Sequence, residues 1–161
     1  MATRAPSLPN IYRSRAYEDV VQKLGSVPLP DSDRRLFPTI REAVCFAALL
    51  GYSEDRRLPL DRSQGVEDIS YQQFERDQNA EFLVYLIALA AGDGPDMLRE
   101  GREQECATIF EEYANGGLAI IKDHLLRAGG EYPDRALMGL LRERGYLVPA
   151  QAEPDLAAIT F

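Results

Sequence analysis

The stretch "EEYANGGLAII", residues 111–121, decides how this chain is read. It lies inside a pattern formed by Cys106, Ile109, Phe110, Tyr113, Gly117, Ile120, Ile121 and His124, the spacing of one face of a long helix. Yet its middle is Asn115-Gly116-Gly117, and a glycine costs a helix interior about 1 kcal/mol relative to alanine. Gly117 falls on the apolar face with Gly116 beside it. Three explanations fit. The missing side chains let a second helix approach closely, the helix kinks or breaks there, or a ligand is seated. Asn115, Gly116 and Gly117 are therefore marked as a helix-packing or kink site.

Outward from this helix the chain reads as mainly α. Residues 1–10 carry two prolines and small polar residues and read as a flexible arm. "AYEDVVQKL" (16–24) is a short amphipathic helix stopped by Gly25, and the proline-rich stretch 26–38 is a loop. Thr39 is placed to cap a buried helix with its stripe at Ile40, Ala43, Val44, Ala47 and Leu50, ended by Gly51. Residues 53–69 are polar and irregular. A short hairpin could form near 57–74, from "RLPLD" (57–61) and "DISYQQF" (68–74), though Pro59 weakens its first strand.

"FLVYLIALAA" (82–91) is apolar on every side, as in the central helix of a bundle. A turn at 92–95 leads to the long segment 96–127, with a break expected near Gly101. Asp134 is placed to cap a last helix closed by Gly145. The expected fold is a compact, bundle-like domain of five to seven helices over residues 11–148, built around 82–91 and 104–126. A weakly patterned C-terminal tail follows at 149–161.

The 161 residues carry a net charge of −8, unevenly spread. Residues 1–41 hold seven basic against four acidic residues, which leaves −11 for residues 42–161. An acidic body repels a phosphate backbone and argues against autonomous DNA binding. Two arginine groups, Arg34/Arg35/Arg41 and Arg56/Arg57/Arg62, are candidates for contact with DNA or an acidic partner; solvated surface arginines are the plainer reading. The N-terminus lacks the apolar core of a signal peptide, and the longest apolar run, ten residues, is too short to span a bilayer. A cytoplasmic protein without a membrane partner is expected.

Catalytic signatures are missing from the sequence. It has no phosphate-binding G-x-x-x-x-G-K-[ST] or G-x-G-x-x-G and no G-x-S-x-G elbow. His124 is the sole histidine, so no His-pair metal site can form, and on the apolar stripe it reads as a core-edge residue. Cys45 and Cys106 sit in apolar segments and read as reduced core thiols, a mutual disulfide being the alternative. Glu111 and Glu112 point about 100° apart on their helix and cannot both serve one site; a solvated helix face is their expected role. No catalytic residue, cofactor or metal is assigned.

Three stretches taken together, "FPTIREAVCFAALLGYSEDRRLPLD" (37–61), "ISYQQFERDQNAEFLVYLIALAAGDGPDML" (69–98) and "IFEEYANGGLAIIKDHL" (109–125), resemble the Dnd system-associated protein 4 family. The resemblance covers roughly residues 12–127, and "EEYANGGL" is its most distinctive part. It implies an accessory of a bacterial or archaeal defence system that replaces a non-bridging phosphate oxygen of DNA with sulfur. It carries over no catalytic residues. The function expected is a non-catalytic, protein-binding subunit that partners other proteins of that system, reaches DNA through them, and is able to form a homodimer. The alternatives are a direct DNA reader or regulator using the arginine clusters, and a Mg-dependent nuclease component. The first predicts arginines on one face; the second predicts three or more carboxylates converging in a cleft.

Overall fold

A computed structural model describes residues 7–147 of the chain. The helices are α1 (Glu18–Gly25), α2 (Ile40–Ser53), α3 (Tyr71–Glu75), α4 (Gln78–Ala91), α5 (Glu103–Arg127) and α6 (Pro133–Glu143). Two short strands, β1 (Ile11–Ser14) and β2 (Val66–Ile69), complete a mainly α architecture. The expected helical domain is therefore present, with six α-helices among the described residues. The tail read at 149–161 lies outside the described residues, as do residues 1–6 of the arm. Residues 7–10 of that arm are anchored. Leu8 is buried in the core, and the Asn10 side chain donates to Asp68 and accepts from the Tyr71 N–H.

Helix α5 runs unbroken through Asn115-Gly116-Gly117 and is the axis of the molecule. One of its sides joins Ile11, Val44, Phe74, Val84 and Phe110 in a core shared with α2, α4 and the strands. The Phe74 and Phe110 rings meet edge to face at 5.9 Å between centroids. Another side joins Val21, Leu24, Ala47, Ile121 and Leu140 in a second core with α1, α2 and α6. The segment that precedes α5 breaks where expected, at Gly101, whose φ of +91° is open to glycine and strained for other residues.

Thr39 caps α2 in a full capping box: its hydroxyl accepts from the Glu42 N–H at 3.2 Å, and Glu42 accepts from the Thr39 N–H at 3.0 Å. Asp77 separates α3 from α4 by capping the latter. Asp134, in contrast, is not the cap of α6. Pro133 opens that helix after Tyr132, so Asp134 falls within the first turn.

Three expectations need correction. Gly51 does not end α2, which continues to Ser53. The hairpin near 57–74 does not form: β2 lies in that region, but its antiparallel partner is β1, with Ile11 opposite Ile69 and Ser14 opposite Val66. Pro59 and its neighbours are pinned to α5 instead, as described below. And 82–91 is not a central helix. Only Ala80, Val84, Ile87 and Ala88 of α4 are buried, while Phe82 and Leu86 are 62% and 57% exposed.

Candidate functional site

The glycines that break helix propensity sit where backbones meet. A Cβ placed on Gly117 would fall 1.8 Å from the Ala47 carbonyl oxygen of α2, and one on Gly51 would fall 2.0 Å from the Tyr113 carbonyl oxygen of α5. Ala47 and Gly51 are one turn apart on α2; Tyr113 and Gly117 are one turn apart on α5. Each helix therefore offers a glycine to the backbone of the other. A Cβ on Gly116 would fall 1.8 Å from the Arg56 carbonyl oxygen, so this glycine admits the connection after α2 rather than a helix. Of the three explanations for the interruption, close packing is the one the geometry fits.

Four other residues of the stretch, Glu111, Glu112, Tyr113 and Asn115, hold that same connection. Asn115 Nδ2 donates to the Leu58 and Pro59 carbonyls, both at 3.2 Å, and the Leu58 N–H donates to the Glu112 carbonyl at 3.0 Å. Glu112 pairs with Arg57, whose guanidinium also lies over the Tyr113 ring. Glu111 is not on a solvated face: it is 2% exposed, accepts from the Tyr12 N–H at 2.8 Å and faces Arg62 at 3.8 Å. Burial pushes its carboxyl up to about 7, against the smaller opposing effects of the Tyr12 N–H and Arg62. The Arg62 guanidinium in turn sits 4.7 Å from the centroid of the Tyr12 ring. Glu111 thus ties β1 and the turn before β2 to α5.

The candidate arginines differ in exposure and in their partners. Arg34 and Arg35 are exposed in the 26–38 connection. Arg41 is only 15% exposed and bridges α2 to α3 and α4, donating to the Gln73 carbonyl at 2.6 Å and to Asp77 at 2.8 Å. Arg57 and Arg62 have the carboxylate and ring partners just described, and the exposed Arg56 lends its carbonyl to Gly116. Guanidiniums paired in this way offer less charge to a phosphate than their number suggests.

Both cysteines are free thiols. Burial raises the Cys45 thiol to about 12, and Cys106 donates to the Met97 carbonyl at 3.3 Å. His124 is buried, 3.5 Å from Arg127 and 3.8 Å from Glu143. Among the described residues, no group of three or more His, Cys, Asp or Glu is placed to hold a metal ion, and no helix is long and apolar enough to cross a membrane.

The surface that stands out includes part of the 82–91 stretch, where the sequence pattern predicts a central helix. Phe82 and Leu86 project from α4 one turn apart, and Leu49 of α2 is 45% exposed. Between α2 and α4 lies an open groove of about 370 Å³, floored by Cys45, Phe46, Leu49, Ala80 and Leu83, with the Arg41–Asp77 pair at its edge. Exposed apolar side chains on an all-apolar helix, beside a groove, are the usual mark of an interaction surface.

The family model for DNA sulphur modification system-associated protein 4 matches residues 10–159. This chain belongs to that family. The match includes the "EEYANGGL" stretch and extends past the 12–127 region that carries the resemblance in the sequence. Association with a DNA sulphur modification system follows from membership. No curated protein and no solved structure matches the chain.

Proposed function

We propose that this chain is a non-catalytic, protein-binding subunit of a DNA sulphur modification defence system. It reaches DNA through another subunit rather than by its own contacts. The observation that carries this reading is the uncovered apolar face of α4, with Phe82 and Leu86 exposed beside the α2–α4 groove. An apolar helix half covered by its own domain is suited to completion by another chain. The acidic body and the pairing of Arg41, Arg57 and Arg62 agree with it. The rival is a direct DNA reader, favoured by the exposure of Arg34 and Arg35.

The test titrates the full chain against matched phosphorothioated and unmodified duplexes at low and moderate salt, with and without Mg²⁺. In parallel, the chain is co-expressed with each of the system's other proteins. The expected result is stable co-purification with one of them and neither binding nor nicking of either duplex. Selective, salt-dependent binding of the phosphorothioated duplex that is lost in an Arg34→Ala/Arg35→Ala variant would instead establish a reader. Mg²⁺-dependent nicking would establish a nuclease component.

A further inference from the structure

The segment that carries the apolar face of α4 is acidic, and Glu42 and Asp77 line the α2–α4 groove beside Arg41. Residues 75–105 hold eight carboxylates and three arginines, a net charge of −5. Two of those arginines are already engaged: Arg99 with Asp96 at 3.1 Å, and Arg102 with Asp93 at 2.9 Å and Glu105 at 2.7 Å. The α2–α4 groove lies on one side of Phe82 and Leu86; on the other, Tyr85 and the 55% exposed Leu98 border a smaller hollow of about 200 Å³.

We infer that this face is the seat for a basic amphipathic helix of a partner protein. The occupant's apolar stripe would lie over Phe82, Leu86 and the groove, and its Lys/Arg flanks would meet the acidic rim. The inference rests on the protein-binding reading and names the chemistry of the partner. Helix-in-groove docking needs an apolar floor with anchors at helical spacing, and the floor is provided by Phe46, Leu49 and Leu83. Specificity comes from the rim: an acidic field steers a basic segment in and repels an acidic one. A second copy of this chain is a poor occupant, because apposing two such faces brings like charges together.

The full-length chain is titrated with an amphipathic Leu/Lys peptide of about five helical turns, and with a Leu/Glu peptide of the same pattern. Titrations are run at about 50 and 300 mM salt. Wild type is expected to bind the Leu/Lys peptide, more weakly at the higher salt, and to leave the Leu/Glu peptide free. A Phe82→Asp/Leu86→Asp variant is expected to weaken Leu/Lys binding by about tenfold or more. Both side chains are exposed, so the fold has no need of them, and retained far-UV dichroism checks this. The variant adds negative charge, so attraction by charge alone would strengthen its binding. Equal or tighter binding by the variant overturns the inference, and so does equal binding of the Leu/Glu peptide. A concentration-dependent dimer that the variant abolishes also overturns it, since the face would then belong to a second copy. The same variant is co-expressed with the system's other proteins. If wild type and variant both retain the same partner, the protein-binding reading stands and this face is wrong. If wild type retains none, the reading itself fails.

Discussion

Substituting Gly117 by alanine sets two opposed effects against each other, and the structure fixes which one wins. In a helix interior the change should help by about 1 kcal/mol, because alanine loses less backbone entropy and is the better helix former. At Gly117, however, the new methyl would sit 1.8 Å from the Ala47 oxygen and 2.6 Å from its carbonyl carbon. Ordinary contact begins near 3.4 Å, so α2 and α5 must part by roughly 1.5 Å. Neither side can yield by turning a rotamer, because both are helix backbone. The separation would open the packing of Val44, Ala47 and Leu50 against Ala114, Leu118 and Ile121 in both cores. Overpacking in a core costs about 1–3 kcal/mol, and more where backbone must move. A net loss of about 3 kcal/mol is expected from a total of roughly 5–15 kcal/mol. Gly139 is the control. It lies within α6, and its added Cβ would meet nothing closer than His124 Nε2 at 3.5 Å. Gly139→Ala should therefore stabilise by about 0.5–1 kcal/mol. Urea unfolding followed by far-UV dichroism separates the two. With a urea slope of about 2 kcal/mol/M, Gly117→Ala lowers the midpoint by about 1.5 M while Gly139→Ala raises it slightly. A Gly117→Ala midpoint at or above wild type would refute the close-packing argument.

Three further outcomes follow from buried groups. Glu111 titrates near 7 in the folded chain, above its ordinary 4.5, so its contribution is fully present below about pH 4.5 and is lost as pH rises through about 7. At its upper limit that difference is about 3 kcal/mol; Glu111→Gln should match wild type near pH 4.5 and exceed it at pH 8, and a variant uniformly weaker across pH in urea titrations would contradict the assignment. Asn115→Ala releases the Leu58 and Pro59 carbonyls and should cost about 1–2 kcal/mol, with faster amide exchange in the 56–62 connection as its local signature; unchanged exchange there would show that the connection is held by other contacts. Cys45 and Cys106 should react slowly with a disulfide reagent at pH 7 in the native protein and fully in urea, because both thiols are raised by burial; a fast native phase would show that the Cys45 thiol is open to reagent from the groove floor.

How much of this was legible depended on whether a residue's role was set locally. The stripe of α2, its Thr39 cap and the long face of α5 follow from spacing, because a helix repeats its environment every 3.6 residues. β1 carries no such signal. Its four residues, Ile-Tyr-Arg-Ser, pair with a strand more than fifty positions away, and three of the four are buried, including Arg13, which pairs with Glu18. Glu111 and Glu112 look like solvated helix positions because nothing near them in sequence says that the 53–65 connection returns across α5. For α4 the failure ran the other way. Apolar residues all round a helix require cover on every side, but composition cannot say whether the cover comes from the same chain.

The stretch that carries the family resemblance, "EEYANGGL", is used almost wholly by the fold: Glu111 holds β1, Glu112 and Asn115 hold the connection, Gly116 admits its backbone and Gly117 admits α2. Residues tied up in this way have little left to offer a ligand, so the most recognisable part of the chain identifies an architecture rather than a site. Phe82, Leu86 and Leu49 are exposed and do no comparable work inside the domain. Each is about half exposed, which forgoes on the order of 1 kcal/mol of burial. Three of them beside one groove make a surface whose favourable state is covered.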